Sequence, residues 1–167
     1  MMGRNHLMSG VATGSLVATA THLPPVQAVP FIAIASVCAL LPDMDHPDAM
    51  LPRMLWWPGR ALAAIISAVF GHRTITHSLL GVSLLAAGLA FIPGLPGWAF
   101  WAVLLGCGTH ILGDMITVSG VPVLWPHKAD WRLGRMRVNG HFEQLVMTPL
   151  LVVCAAASVG LMVAAHA

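Results

Sequence analysis

His110 and Asp114 stand four residues apart in an otherwise apolar stretch, GCGTHILGDM. That spacing puts both on one helical face, where an imidazole and a carboxylate can chelate one divalent ion or simply hydrogen-bond to each other. Asp43 and Asp45 bracket Met44 in LLPDMDHPD. Two carboxylates this close repel unless a cation lies between them; the bland alternative is a solvated helix end. His46 adds a nitrogen donor beside them. A mixed histidine–carboxylate set suits Zn, with Mn or Fe next, better than Ca. His72 and His77 flank the RTIT of FGHRTITHS. Within one helix that gap would spread them by about 140°. Both face one cavity only if the first sits in a loop and the second at a helix start. Thr76 or Ser78 can cap that helix, and Arg73 suits a phosphate or carboxylate clamp.

With His6 and Glu143, nine candidate donors are present. Four complete a structural zinc site, and three plus water make a catalytic one. Nine exceed one ion, so two ions are expected, with the remaining groups orienting ligands or water. The metal set is His6, Asp43, Asp45, His46, His72, His77, His110 and Asp114. Glu143 or Asp45 would orient the attacking water, and Arg73 would hold substrate. Two ions favour hydrolysis of phosphoesters, because they stabilise both attacking and leaving oxygens.

The elements that must position these residues are apolar. Of 167 residues, 57% are hydrophobic and only 8% charged, with a mean hydropathy of +0.82. Typical soluble domains carry roughly 25% charged residues. The composition excludes disorder, a coiled coil and a basic nucleic-acid-binding domain. It predicts a single integral membrane domain over residues 1–167, all-α. Cys38, Cys107 and Cys154 are far apart in apolar runs, so they read as small hydrophobes rather than a thiolate metal site.

Five apolar runs predict five crossings: residues 7–22, 26–41, 77–92, 98–117 and 144–166. Pro58 and Gly71 bracket a short interfacial helix over 59–70, preceded by the Trp56–Trp57 pair. The first two runs are short for a hydrocarbon core of about 30 Å. Arg4 and Ala18-Thr19-Ala20 also fit a cleaved signal over the first run. Gly10-x-x-x-Gly14 permits close helix contact, within the bundle or in a homo-oligomer. Five crossings place Arg4, Arg53, Arg60, Arg73, Lys128, Arg132, Arg135 and Arg137 on one side, and no Lys or Arg on the other. The positive-inside rule makes the first side cytoplasmic, with the N-terminus in and the C-terminus out. The candidate donors gather on that side; His22 and His166 fall on the far side as interfacial residues. Ionisable groups at the ends of apolar helices are expensive unless paired or bound to an ion. The basic residues set topology or gather anionic headgroups.

LLPDMDHP, FGHRTITHSLL, HILGDMITVSGVPVLWP and Glu143 resemble, in order and spacing, the LexA-regulated membrane-bound metal-dependent hydrolase family. The similarity covers most of residues 6–150, and the run His110 to Pro126 and the THS block are its most specific parts. It implies a multi-pass protein of the bacterial inner membrane with metal-dependent hydrolase chemistry. The family often has Gly where this chain has Thr74, a substitution disfavoured if that backbone needs positive φ. More loosely, His110 and Asp114 match a His-x-x-x-Asp pair of bacterial zinc phospholipase C and the S1/P1 nucleases. The companion His-x-x-x-Glu of those enzymes is absent, since His141 and Glu143 are only two apart. The expected activity is phosphoester hydrolysis, with a phospholipid headgroup as candidate substrate and membrane lipids as the partners. The competing expectation is a non-enzymatic membrane protein whose metal or ion-pair cluster ties helix ends together. A metal transporter is a weaker competitor, because only His110 could lie near the midplane.

Overall fold

The computed structural model describes residues 1–127 and 129–165. Lys128 and His166, read above as a basic loop residue and a far-side histidine, lie outside the described residues. Among the described residues seven α-helices form: α1 Gly3–Ala20, α2 Pro25–Cys38, α3 Met50–Met54, α4 Trp56–Phe70, α5 Leu79–Ala90, α6 Gly97–Met115 and α7 Thr148–Ala165. Short 3-10 turns cover Pro42–Asp45 and Ile75–His77, and a π turn over Glu143–Met147 leads into α7. Two isolated β-bridges fold the loop after α6, with no strand among the described residues.

Proline and glycine set several boundaries. Pro25 opens α2, where its missing N–H costs nothing. Gly71, at φ 84°, closes α4. The helix expected over 59–70 therefore ends where Gly71 predicted, but it begins at Trp56 rather than 59. Ser78 caps α5 by accepting the Gly81 N–H at 3.0 Å, so of the two proposed caps the serine serves.

α1 packs against α7, α2 and α6, α2 also packs on α6, and α5 lies along α6. Small residues permit this. A Cβ on Gly10 would come within 2.7 Å of Ser36 Cα, and one on Gly106 within 2.3 Å of the Ala35 carbonyl. The Gly10–Gly14 face is thus spent on α2 within the chain. The interior holds Ala18, Ala28, Ala35 and Ala102, while Phe91, Val26 and Leu145 are 86, 80 and 73% exposed. Small residues inside and large apolar ones outside is the arrangement that lipid, not water, rewards.

Among the described residues two segments are long and apolar enough to cross a membrane, Pro25–Asp45 and Glu143–Ala165. α5 is shorter than the predicted 77–92 run; its 12 residues reach about 18 Å, well under the bilayer core. α1 carries Arg4, Asn5 and His6 in its first turns, and α6 ends on His110 and Asp114. Five crossings are therefore not given by length and hydropathy alone.

Candidate metal centre

Five segment ends meet at one end of the bundle. They are the start of α1, the turn after α2, the turn before α5, the last turns of α6 and the π turn before α7. Pro42 breaks off α2 and starts the 3-10 turn that presents Asp43. The turn Ile75–His77 delivers His77 just before the Ser78 cap. His110 and Asp114 share the inner face of α6, as their spacing predicted.

Asp43, His77, His110 and Asp114 each offer one donor atom, all within 4.8 Å of one another. Asp43 Oδ1 lies 3.4 Å from His77 Nε2 and 3.6 Å from His110 Nε2. The two Nε2 atoms are 3.3 Å apart, and Asp114 Oδ2 is 3.9 Å from each. Zinc bonded at about 2.0–2.2 Å has tetrahedral edges of roughly 3.3–3.6 Å. The cage is slightly wider than that.

Hydrogen bonds fix which ring nitrogens are free. His110 Nδ1 is 2.8 Å from the Ala39 carbonyl, which can only accept, so Nδ1 carries the proton. Thr76 Oγ1 donates to Asp45 Oδ2 at 2.7 Å and accepts from His77 Nδ1 at 3.0 Å. Both Nε2 lone pairs therefore face each other beside two carboxylate oxygens. Acceptors converging without a proton between them fit a divalent cation, and the Ala39 carbonyl behind His110 and the Thr76 hydroxyl, backed by Asp45, behind His77 are the kind of support that metal-bound histidines use. Zn, Mn or Fe suits this donor set.

The other candidates stand around this cage. Asp45 is fully buried and turned away from Asp43: Oδ1 meets His72 Nδ1 at 2.9 Å, and Oδ2 accepts the Arg73 N–H at 2.7 Å. His46 is exposed, its ring 5.0 Å from that of His72. His6 is buried, stacked on His110 with centroids 3.7 Å apart, and its Nε2 lies 3.2 Å from Asp114 Oδ1. Glu143 is buried and spends both oxygens on structure, accepting from the Met2 N–H, Asn5 Nδ2 and the Asn139 N–H. The Met1 amine also contacts Asp114.

Arg73 Nη2 donates to Asp114 Oδ2 at 2.7 Å, while its buried Nε has no hydrogen-bond partner. Its backbone φ is 55°, a conformation arginine takes only where surroundings hold it. Thr74 has φ −116°. The positive φ thus falls one residue before the position where the family often has glycine, and Thr74 is accommodated. Thr76, Asn5 and the Ala39 carbonyl are contributors that spacing did not reveal. In the sequence Thr76 reads only as a helix cap, and a backbone carbonyl leaves no mark in side-chain spacing.

A family model described as YdjM inner membrane protein matches residues 1–167. The inner membrane protein YdjM of Escherichia coli K12 is 38% identical over 141 residues, 80% of this chain and 69% of the relative. The uncharacterized protein YvsG of Bacillus subtilis 168 is 33% identical over 152 residues, 90% of this chain and 89% of the relative. No solved structure matches the chain significantly. The inner-membrane half of the resemblance drawn from the motifs agrees with the YdjM names; none of the names states a hydrolase activity.

Proposed function

The chain belongs to the YdjM inner membrane protein family, and from that premise we propose that it is a multi-pass, metal-dependent phosphoester hydrolase with its site at the cytoplasmic face. The observation that carries the reading is the pair of Nε2 atoms 3.3 Å apart beside two carboxylates, with Arg73 next to them. Asp43, His77, His110 and Asp114 would hold one ion. Among the described residues no second group of three donors converges in the same way, which favours one ion over the two that the donor count suggested.

A bound divalent ion would supply Lewis acidity and a lowered pKa for water. The chain's own residues do the rest. Arg73, its side chain 23% exposed and paired through Nη2 with Asp114, places a guanidinium charge beside the cage that suits an anion. Asp43, 19% exposed, marks the open side of the cage. Asp45 holds Arg73 through its backbone and His77 through Thr76, so it positions both clamp and ligand. His6 packs one face of His110 and limits its rotation. Glu143 anchors the start of α1 and so keeps His6 in place.

A second reading has its own observation. Four protein donors can fill a tetrahedral shell, and a closed shell is structural. The cage would then tie the end of α2 to α5 and α6. Purified protein in detergent, loaded with Zn, Mn or Fe in turn, separates the two. The hydrolase reading expects metal-dependent phosphate release from a phosphomonoester or phosphodiester panel, lost in His110→Ala, and a fold that survives chelation. Loss of the fold on chelation, with no turnover in any loaded form, would support the structural reading instead.

A further inference from the structure

We propose that the phosphoester is a membrane phospholipid and that one of its acyl chains lies in an apolar groove beside the cage. The inference rests on the hydrolase reading above. The groove has a volume of about 220 Å³ and runs between the end of α2, the turn before α5, and the facing sides of α5 and α6. Leu41, Ile75, Val82 and Cys107 form its floor, and Leu84 and Leu85 its outer wall. Pro42 and Thr76 border it. They are the chain neighbours of Asp43 and His77, so the apolar wall begins where the cage ends.

The charge pattern orients the occupant. Beyond the Pro42 and Thr76 border stand the donor cage and, paired with its Asp114, Arg73, which suit a phosphate. The wall carries only carbon and sulfur apart from the Thr76 hydroxyl, which is already bonded to Asp45. Leu84 and Leu85 are exposed, so the groove opens sideways onto the outward face of α5. In an inner-membrane protein that face meets lipid. The volume falls below the roughly 300–1,000 Å³ of a pocket that encloses a whole small ligand, and suits part of one chain. A water-soluble phosphoester would leave this wall unused, whereas each buried methylene of a lipid adds to affinity.

The test uses the full chain in detergent micelles with Co²⁺ in place of the native ion, whose visible absorption reports ligands arriving at the metal. Dioleoyl phosphatidic acid and glycerol 3-phosphate carry the same phosphomonoester with and without acyl chains. The lipid is expected to perturb the spectrum at a half-saturating concentration at least about tenfold lower. Leu85→Trp, on the exposed wall, should erase most of that difference with Co²⁺ affinity unchanged. Val153→Trp, on the exposed face of α7, should leave it intact and so controls for partition into the micelle. Equal half-saturation by the two probes, no spectral response to either, or a preference untouched by Leu85→Trp would overturn the acyl-chain site while leaving the metal centre standing. Failure to bind Co²⁺ at all would overturn the hydrolase reading, and the acyl-chain site with it.

Discussion

His77 owes its orientation to Thr76. The hydroxyl accepts a hydrogen bond from the ring's Nδ1–H and donates one to Asp45, which leaves Nε2 facing the cage. Thr76→Val keeps the branched shape and deletes the relay. Metal affinity is expected to fall about 10–100-fold, the usual cost of losing a support behind a ligand. Competition against a calibrated chelator would measure it, and unchanged affinity would remove Thr76 from the account. Asp45 is the residue whose placement spacing left most open. In a 3-10 turn of three residues per turn, side chains two apart diverge by about 120°. Asp43 therefore meets the histidines of the cage while Asp45 meets Thr76 and Arg73. His110 and Asp114 were legible as a pair because they lie on a regular helix, where the phase is known. Turn residues carry no such phase.

At the scale of the helix, α1 can bring His6 to His110 only because it lies close against α2. Gly10 permits that approach, since any Cβ there would collide with the backbone of α2. Gly10→Ala is expected to destabilise the protein by about 1–3 kcal/mol, the usual cost of overpacking, and to lower its unfolding midpoint in detergent. Gly160→Ala on α7, where a Cβ meets nothing within 4 Å, should not lower it. Equal midpoints for the two variants would mean that the α1–α2 crossing can relax freely. The Gly10–Gly14 motif announced a close contact but not its partner, because small residues do not say which helix they face. The helix over 59–70 was readable at its glycine end for a plainer reason: Gly71 takes a φ that few other residues accept.

For the whole molecule, the gathering of donors was legible because ionisable residues are so few. The number of crossings was not, since α1, α5 and α6 are too short or too polar to declare themselves by hydropathy. Labelling decides between five crossings and two. In a Cys154→Ala background, Leu95→Cys and Leu133→Cys can be probed with an impermeant maleimide in oriented vesicles. Five crossings predict that Leu133→Cys reacts from the cytoplasmic side and Leu95→Cys from the opposite side. If only Pro25–Asp45 and Glu143–Ala165 cross, both positions lie between the two spans and react from the same side. The central claim is that one end of this bundle holds a metal ion, and elemental analysis of the purified protein beside Asp114→Ala tests it most directly. The account predicts about one divalent transition-metal ion per chain, held by the four-donor cage and lost in the variant. A metal-free chain from metal-replete cells, or a metal content that Asp114→Ala leaves unchanged, would contradict it.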